Sequence, residues 1–430
     1  MTCSAGSAEP AGAGNGATPC DLGLFMDQAT KPDSRGASDV VIRRLAEGRT
    51  VRSVGVEEEL LIVEPGTGRP RALASAVIRA AGRGAAEAGA GEPCADEPSA
   101  GEPGAMQPLE FELQEQQLEI DTRPCHSLDE LSRELRRCRA TAAAAAARAG
   151  VTVAALGTSP VAVHPEVVPT SRYQAMAEAF GLTAHEQLTC GCHVHVGISS
   201  AEEGVAVLDR IQPWLATLLA LSANSPFWQG VDSAYASFRY QAWGRWPCTG
   251  PTGQFGSAEA YQATVQQMID TGTLLDSGMV YFDARLSQHY PTIEVRIADV
   301  CQHADDAVLI AALVRGLVET EARNWQAGRP ARPVRTEQLR LAAWRASRSG
   351  LDDVLIDPVT FRPDKVAAVT GLLVEHVRDA LADAGDIRLV TDLLDAVLYR
   401  GNGATAQRLE YQRRGRLMDV ITAAATTTTG

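Results

Sequence analysis

The feature that most constrains this chain is a set of β-patterned stretches carrying charge where buried strands usually carry aliphatic side chains. In Gly55-Val56-Glu57-Glu58-Glu59-Leu60-Leu61, alternation puts Glu57 and Glu59 on one face and Glu58 on the other. In Cys190-Gly191-Cys192-His193-Val194-His195-Val196-Gly197, the two histidines share a face with valines behind them. In Thr292-Ile293-Glu294-Val295-Arg296-Ile297-Ala298-Asp299, Glu294 and Arg296 point together. A fourth stretch breaks the pattern: Glu110, Glu112, Gln114 and Gln116 have one parity and Glu119 the other. Bringing Glu112 and Glu119 to one face therefore requires a bulge or bend. Several carboxylates at one locus could not all stay ionised without cations to offset them.

Each stretch has a plainer reading when taken alone. Glu57 and Glu59 suit a solvated strand face, the Glu110–Glu119 stretch suits an acidic edge strand, and Glu294 with Arg296 suits a simple ion pair. The paired histidines also admit a zinc site, but no CxxC or HxxxH partner follows. An iron oxygenase strand would want a glutamate soon after the second histidine, and Glu202 is the nearest. Together the stretches read differently, because carboxylates with one or two imidazoles suit Mg²⁺ or Mn²⁺ and adjacent arginines suit a phosphoryl group.

The remaining patterned segments are of both kinds. Residues 51–63, 110–122, 151–156, 189–198 and 290–299 read as strands. Ser127 and Glu130 form a capping box before an apolar face of Leu128, Leu131, Leu135 and Cys138, and Gly150 ends that helix. Residues 201–223 read as a long amphipathic helix stopped by Asn224-Ser225-Pro226, and the last hundred residues as mostly helical. Strands and helices do not alternate regularly, which predicts an α+β fold with a largely antiparallel sheet flanked by helices. Residues 1–38 read as a disordered leader, 39–425 as a single domain, 82–108 as a flexible insertion in it and 426–430 as a frayed tail.

Composition then removes whole classes of function. Of 39 Lys and Arg, only Lys31 and Lys365 are lysines, and neither follows a glycine or sits in a V-A-I-K context. A P-loop and a protein-kinase fold are excluded, so phosphate chemistry falls to arginine, metal and backbone amides. The net charge of −14 argues against a nucleic-acid or membrane-surface partner. No apolar run approaches about 18 residues, which predicts no membrane span, and no secretory signal opens the chain. Nine cysteines without a CxxC pair predict reduced thiols in a cytoplasmic protein. Gly401-Asn402-Gly403-Ala404-Thr405-Ala406 matches GxGxxA but follows a helical pattern, which argues against a dinucleotide site.

Taken in order, the motifs GVEEELLIV, E-x-Q-x-x-x-LEI-x-T, GCHVHVGI, LSANSPFWQG and PTIEVRIAD resemble the glutamate–cysteine ligase type 2 family of carboxylate–amine ligases. The resemblance runs from about residue 51 to 401, outside the insertion. It implies a glutamine-synthetase-like fold whose sheet forms an ATP-and-metal funnel. It also implies ATP-dependent formation of a γ-glutamyl phosphate, followed by attack of an amine, L-cysteine first among them, with another amine as the alternative. By matching motif positions, Glu57, Glu59, Glu112, Glu119, His193 and Glu294 become metal ligands and His195 a nucleotide-phosphate contact. Arg296 would stabilise the transferring phosphoryl group, Arg285 would be a further anion contact, and Arg239 and Arg245 would bind substrate. The resemblance thus implies small-molecule substrates, ATP and Mg²⁺ or Mn²⁺, and leaves a homo-oligomer open. A non-catalytic binding module and a metal-dependent oxygenase are the competing readings. Ala284, Leu286, Thr122-Arg123-Pro124 and the insertion depart from the family pattern, without touching a proposed ligand.

Overall fold

The computed structural model describes residues 51–88 and 109–430. The leader and most of the 82–108 insertion lie outside these described residues. Six strands make the central sheet: β1 (Val54–Val63), β2 (Gln117–Asp121), β3 (Thr152–Ala154), β4 (Gly191–Gly197), β5 (Ala284–Leu286) and β6 (Thr292–Asp299). The order is β2-β1-β4-β6-β5, with β3 joining β1 beyond the end of β4, and every pairing is antiparallel. The principal helices are α1 (Ala74–Ala88), α2 (Leu128–Arg148), α3 (Ala201–Ser222), α4 (Phe238–Trp243) and α5 (Ala304–Gln326). Three more follow: α6 (Thr336–Ser349), α7 (Gly403–Arg414) and α8 (Leu417–Thr429).

Alternation decides which side of the sheet is core. Val54 and Val56 of β1, Cys192, Val194 and Val196 of β4, and Ile293 and Val295 of β6 are all buried against apolar residues of α3 and α5. That face needs no polar partner, and its burial is the dominant favourable term. The other face of the same strands carries Glu57, Glu59, His193, His195, Glu294 and Arg296. Further along, Leu60, Leu61, Ile62 and Val63 are buried on both faces and belong to a second core with α1, α2 and α8. The strand therefore changes from two-faced to fully buried just beyond Glu59.

Ser127 caps α2 as expected, its hydroxyl accepting from the Glu130 amide. Other expectations change. The segment 110–122 is paired as a strand only over Gln117–Asp121; before it the chain turns back, so that Glu110 bridges Glu119. Helix α1 runs to residue 88, so the first part of the expected flexible insertion is helical. The tail read as frayed is the last turn of α8. Its threonine hydroxyls bond to carbonyls four residues back, and the Thr428 hydroxyl accepts from the Ala155 amide at 2.8 Å. Composition missed this because a run of four threonines ending in glycine is a weak helix former until tertiary contact supports it.

Helix α3 also corrects the reading of apolar length, since it is long and apolar enough to cross a membrane. Within its most apolar window 83% is buried inside the fold, which is the environment of a core helix. The six described cysteines, Cys125, Cys138, Cys190, Cys192, Cys248 and Cys301, are all free and buried.

Candidate active site

Antiparallel register assembles the charged face from strands distant in sequence. Glu57 is opposite His193 on one neighbour and Asp121 on the other, Glu59 is opposite Glu119, and His195 is opposite Glu294. His195 Nε2 lies 2.8 Å from Glu57 Oε1, while its Nδ1 meets the Thr292 hydroxyl at 3.0 Å. His193 Nδ1 lies 3.2 Å from Glu57 Oε2, and its Nε2 is 3.7 Å from Glu59 Oε1. That Nε2 is buried and accepts or donates no hydrogen bond. Three overlapping groups have ligand atoms within 4.8 Å of one another: Glu57, His195 and Glu294; Glu57, Glu119 and Asp121; and Glu59, Glu112 and Glu119.

The parity problem of the fourth stretch is solved by the turn before β2. It folds Glu112 back beside Glu59 and Glu119, rather than leaving it on a continuous strand. The electrostatic consequence is visible in both carboxyls. Burial and the neighbouring Glu59 charge push Glu112 up to about 8. Burial, then Glu57 and Asp121, hold Glu119 well above the usual carboxylate range. Glu57 goes the other way: burial would raise it, but His195 and His193 together hold it well below the ordinary value. His193 is kept down by burial and by Arg296, so its neutral, ligating form is favoured. His195 is raised despite burial, through the Glu57 charge and hydrogen bond.

Two arginines close the other side. Arg285 grips both Glu294 oxygens, at 2.7 and 3.1 Å, and anchors its far N–H groups on the Gly278 and Val280 carbonyls. Arg296 pairs with the same carboxylate and reaches the edge of His193 at 3.5 Å. A β-bulge makes this possible. Between Cys192 and Val194 the register shifts, so that β6 spends one extra residue opposite His193. Glu294, Arg296 and, past the bulge, Asp299 then serve the same region.

Arg239 lies beneath this layer, buried, with its guanidinium against the Ile297 and Arg296 carbonyls and 3.9 Å from Asp299. Gly191 is the residue that admits it, because a Cβ there would sit 2.2 Å from an Arg239 nitrogen. Asp299 is held by the Asn224 amide and the Ser225 and Ser237 hydroxyls at 2.7–2.9 Å. The LSANSPFWQG motif is thus the floor that seats Arg239.

The structure brings together Glu57, Glu59, Glu112, Glu119, His193, His195, Glu294, Arg285 and Arg296, with Arg239 just below. It does not bring in Arg245, which pairs with Glu186 at 2.6 Å near the surface and lies over the Trp228 ring. His195 stands among carboxylates as a fellow ligand group, a different setting from the phosphate contact expected of it. Sequence reading missed Asp121, although its parity with Glu119 on β2 was the available signal. The GxGxxA stretch is structural. Asn402 caps α7, and a Cβ on Gly403 would lie 2.1 Å from Asn224 Oδ1.

Chemically, six carboxyls and two imidazoles facing two guanidiniums leave an excess of hard oxygen donors, the set preferred by Mg²⁺ or Mn²⁺ over the softer set of an iron or zinc site. The orphaned His193 Nε2 and the raised Glu112 and Glu119 fit the same occupant.

Two solved structures share this fold. A bifunctional glutathione synthetase from Pasteurella multocida aligns with a TM-score of 0.62 at 13% identity, over 92% of this chain and 54% of that one. A glutamate–cysteine ligase from Francisella tularensis, in complex with AMP, aligns at 0.60 and 12%, over 89% of each chain. The molecule is an ATP-dependent ligase that forms carbon–nitrogen bonds. Within that class it belongs to glutamate–cysteine ligase family 2, which matches residues 53–423. A Streptomyces avermitilis protein named "Putative glutamate--cysteine ligase 2-1" is 52% identical over 380 residues, 88% of this chain and all of that one. A Streptomyces coelicolor protein named "Putative glutamate--cysteine ligase 2" is 49% identical over 373 residues, 87% of this chain and 98% of that one.

Proposed function

We propose that this ligase activates the γ-carboxylate of glutamate and joins it to an amine, L-cysteine being the acceptor that the names of its relatives carry. A carboxylate oxygen attacks the γ-phosphorus of ATP; the new P–O bond forms as ADP leaves with the electrons of the old one. The amine nitrogen then attacks the carbonyl carbon, inorganic phosphate leaves with the C–O electron pair, and the nitrogen loses a proton to give the amide. The reading is carried by one observation: three overlapping carboxylate and imidazole groups abut the Arg285–Glu294–Arg296 ion-pair cluster.

Glu57, Glu59, Glu112, Glu119, Asp121, His193, His195 and Glu294 would hold Mg²⁺ or Mn²⁺. Such ions, when bound, offset the charge of the ATP phosphates. Arg296 and Arg285 supply fixed positive charge where the phosphoryl group transfers, at no cost in reorganisation. Arg239, seated by Asp299, holds the backbone of Arg296 in place. The substrates are small molecules, the reaction involves neither nucleic acid nor membrane, and we place the enzyme in the cytoplasm.

Incubation with ATP, Mg²⁺, glutamate and hydroxylamine tests the reading. Glutamyl hydroxamate and stoichiometric ADP are the expected products. Neither product across a range of acids, or bound iron with ATP-independent turnover, removes the ligase mechanism from this site.

A further inference from the structure

Two aromatic rings that the mechanism above does not use lie against its central cation. The Arg296 guanidinium carbon is 5.8 Å from the centroid of the Trp243 ring and 6.0 Å from that of Tyr281, within reach of a cation–π contact. The backbone arranges this. Trp243 ends α4 one helical turn after Arg239, so the two share a face, and the same indole lies 5.9 Å from the Arg239 guanidinium. Tyr281 comes just before β5, and the Asp283 carbonyl accepts from the Arg296 amide at 2.8 Å, which draws this segment alongside β6. The two rings lie 4.7 Å apart, and Trp246, 5.6 Å from Tyr281, backs them with Phe180 behind it.

Hydrogen bonds alone leave Arg296 loosely aimed. Among the described residues its contacts to Glu294 and His193 are both made by Nη1, and its buried Nε–H has no partner. Glu294 is moreover shared, since Arg285 takes both of its oxygens. One held nitrogen fixes a point, whereas a planar fork also needs its plane fixed. The π faces of Trp243 and Tyr281 are the electron-rich surfaces beside the guanidinium that can do so. Arg239, whose own buried Nε–H has no partner, lies against the same indole.

We propose that Trp243 and Tyr281 are positioning residues: their rings hold the Arg296 guanidinium in the plane from which it meets the transferring phosphoryl group. They set the rate of acyl-phosphate formation and bind neither ATP nor glutamate. The proposal rests on the ligase reading above and adds the residues that aim its phosphoryl-stabilising arginine.

The test follows ADP release and hydroxamate formation with ATP, Mg²⁺, glutamate and hydroxylamine. Trp243→Leu keeps an apolar side chain and removes the π face; it is expected to lower kcat roughly tenfold, with both KM values within about twofold of the parent. ATP retention in equilibrium dialysis should likewise move by less than about twofold. Trp243→Phe restores a ring and should recover kcat to within about threefold, while Tyr281→Leu should act as Trp243→Leu does, more weakly. Trp344→Leu is the control, because that ring faces Tyr235 and neither guanidinium; its kcat should stay within about twofold. In an Arg296→Lys background Trp243→Leu should cost less than about threefold, there being no guanidinium left to aim. An unchanged kcat, a loss confined to KM, or a full loss persisting over Arg296→Lys would each overturn the proposal. Should Trp243→Leu lose its folded circular-dichroism signature, Tyr281→Leu and its own cycle with Arg296→Lys decide by the same criteria. A parent enzyme that forms neither hydroxamate nor ADP removes the ligase reading, and this proposal with it.

Discussion

Glu58 leaves β1 on one side while Glu57 and Glu59 leave it on the other, and the three carboxylates meet opposite surroundings. Glu58 is fully buried toward the helices, where Arg139 takes both of its oxygens, at 2.6 and 2.7 Å. The spare N–H groups of Arg139 go to the Cys301 and Gln302 carbonyls at 2.7 and 3.0 Å. Every charge there has a partner supplied by the chain. On the other face Glu57 and Glu59 stand with Glu112, Glu119, Asp121 and Glu294 before two arginines, and the protein leaves the difference to something it does not encode. One strand thus shows both uses of a buried carboxylate: a closed pair that pins the fold, and an open set that selects a ligand.

That contrast can be broken from either side. The largest effect is expected from Arg139→Ala, which strands Glu58 without a partner and should lower unfolding free energy by about 3–5 kcal/mol in a denaturant titration. A loss under about 1 kcal/mol would mean the pair does not pin the fold. Glu57→Gln should do the reverse, cutting ligase turnover by roughly a hundredfold, or about 2.7 kcal/mol in the barrier. Stability should stay within about 1 kcal/mol of the parent.

Metal addition should separate the faces without mutation. A hundredfold excess of Mg²⁺ over its Kd stabilises the native state by about 2.7 kcal/mol, read as a higher melting temperature. Glu57→Gln with Glu119→Gln should abolish that rise, whereas a conservative change at Glu58 should not. The pH dependence follows with a defined sign. Glu112 is raised in the folded state, so its contribution is complete below the ordinary carboxylate range and is lost as pH climbs through about 8. Metal-free protein should therefore soften from about pH 4.5 to about pH 8, and Mg²⁺ should flatten that slope. The smallest effect belongs to Arg245→Ala, whose surface pair with Glu186 should be worth at most about 1 kcal/mol in stability. Turnover with hydroxylamine should change by less than about threefold.

Much of this site was legible because period-two alternation is a strong constraint: it separated Glu57 and Glu59 from Glu58, and it paired His193 with His195. It also flagged that Glu112 and Glu119 could not share a uniform strand. What alternation could not supply was the remedy, since a tight turn rather than a bulge folds Glu112 back. Asp121 was within reach by parity and was passed over. Arg245 failed for a different reason: it follows α4 on a turn, where side-chain direction depends on tertiary partners such as Glu186, and no local period reports them. Asn224 and Ser225 read as helix-stop residues, and only the fold reveals them, together with Ser237, as the seat of Asp299 and Arg239.

The extra residue that β6 spends opposite His193 has a consequence for how this sequence tolerates change. On the Glu294 side of the bulge even-numbered residues face the site, and on the Asp299 side odd-numbered ones do. Removing that one extra residue would restore uniform alternation and leave the inward and outward lists on both sides of it unchanged. A deletion within Thr292–Glu294, where the ladder is regular, has no such slack and should exchange the two lists locally. The position of the extra residue is therefore as much a part of the site as the identity of its side chains.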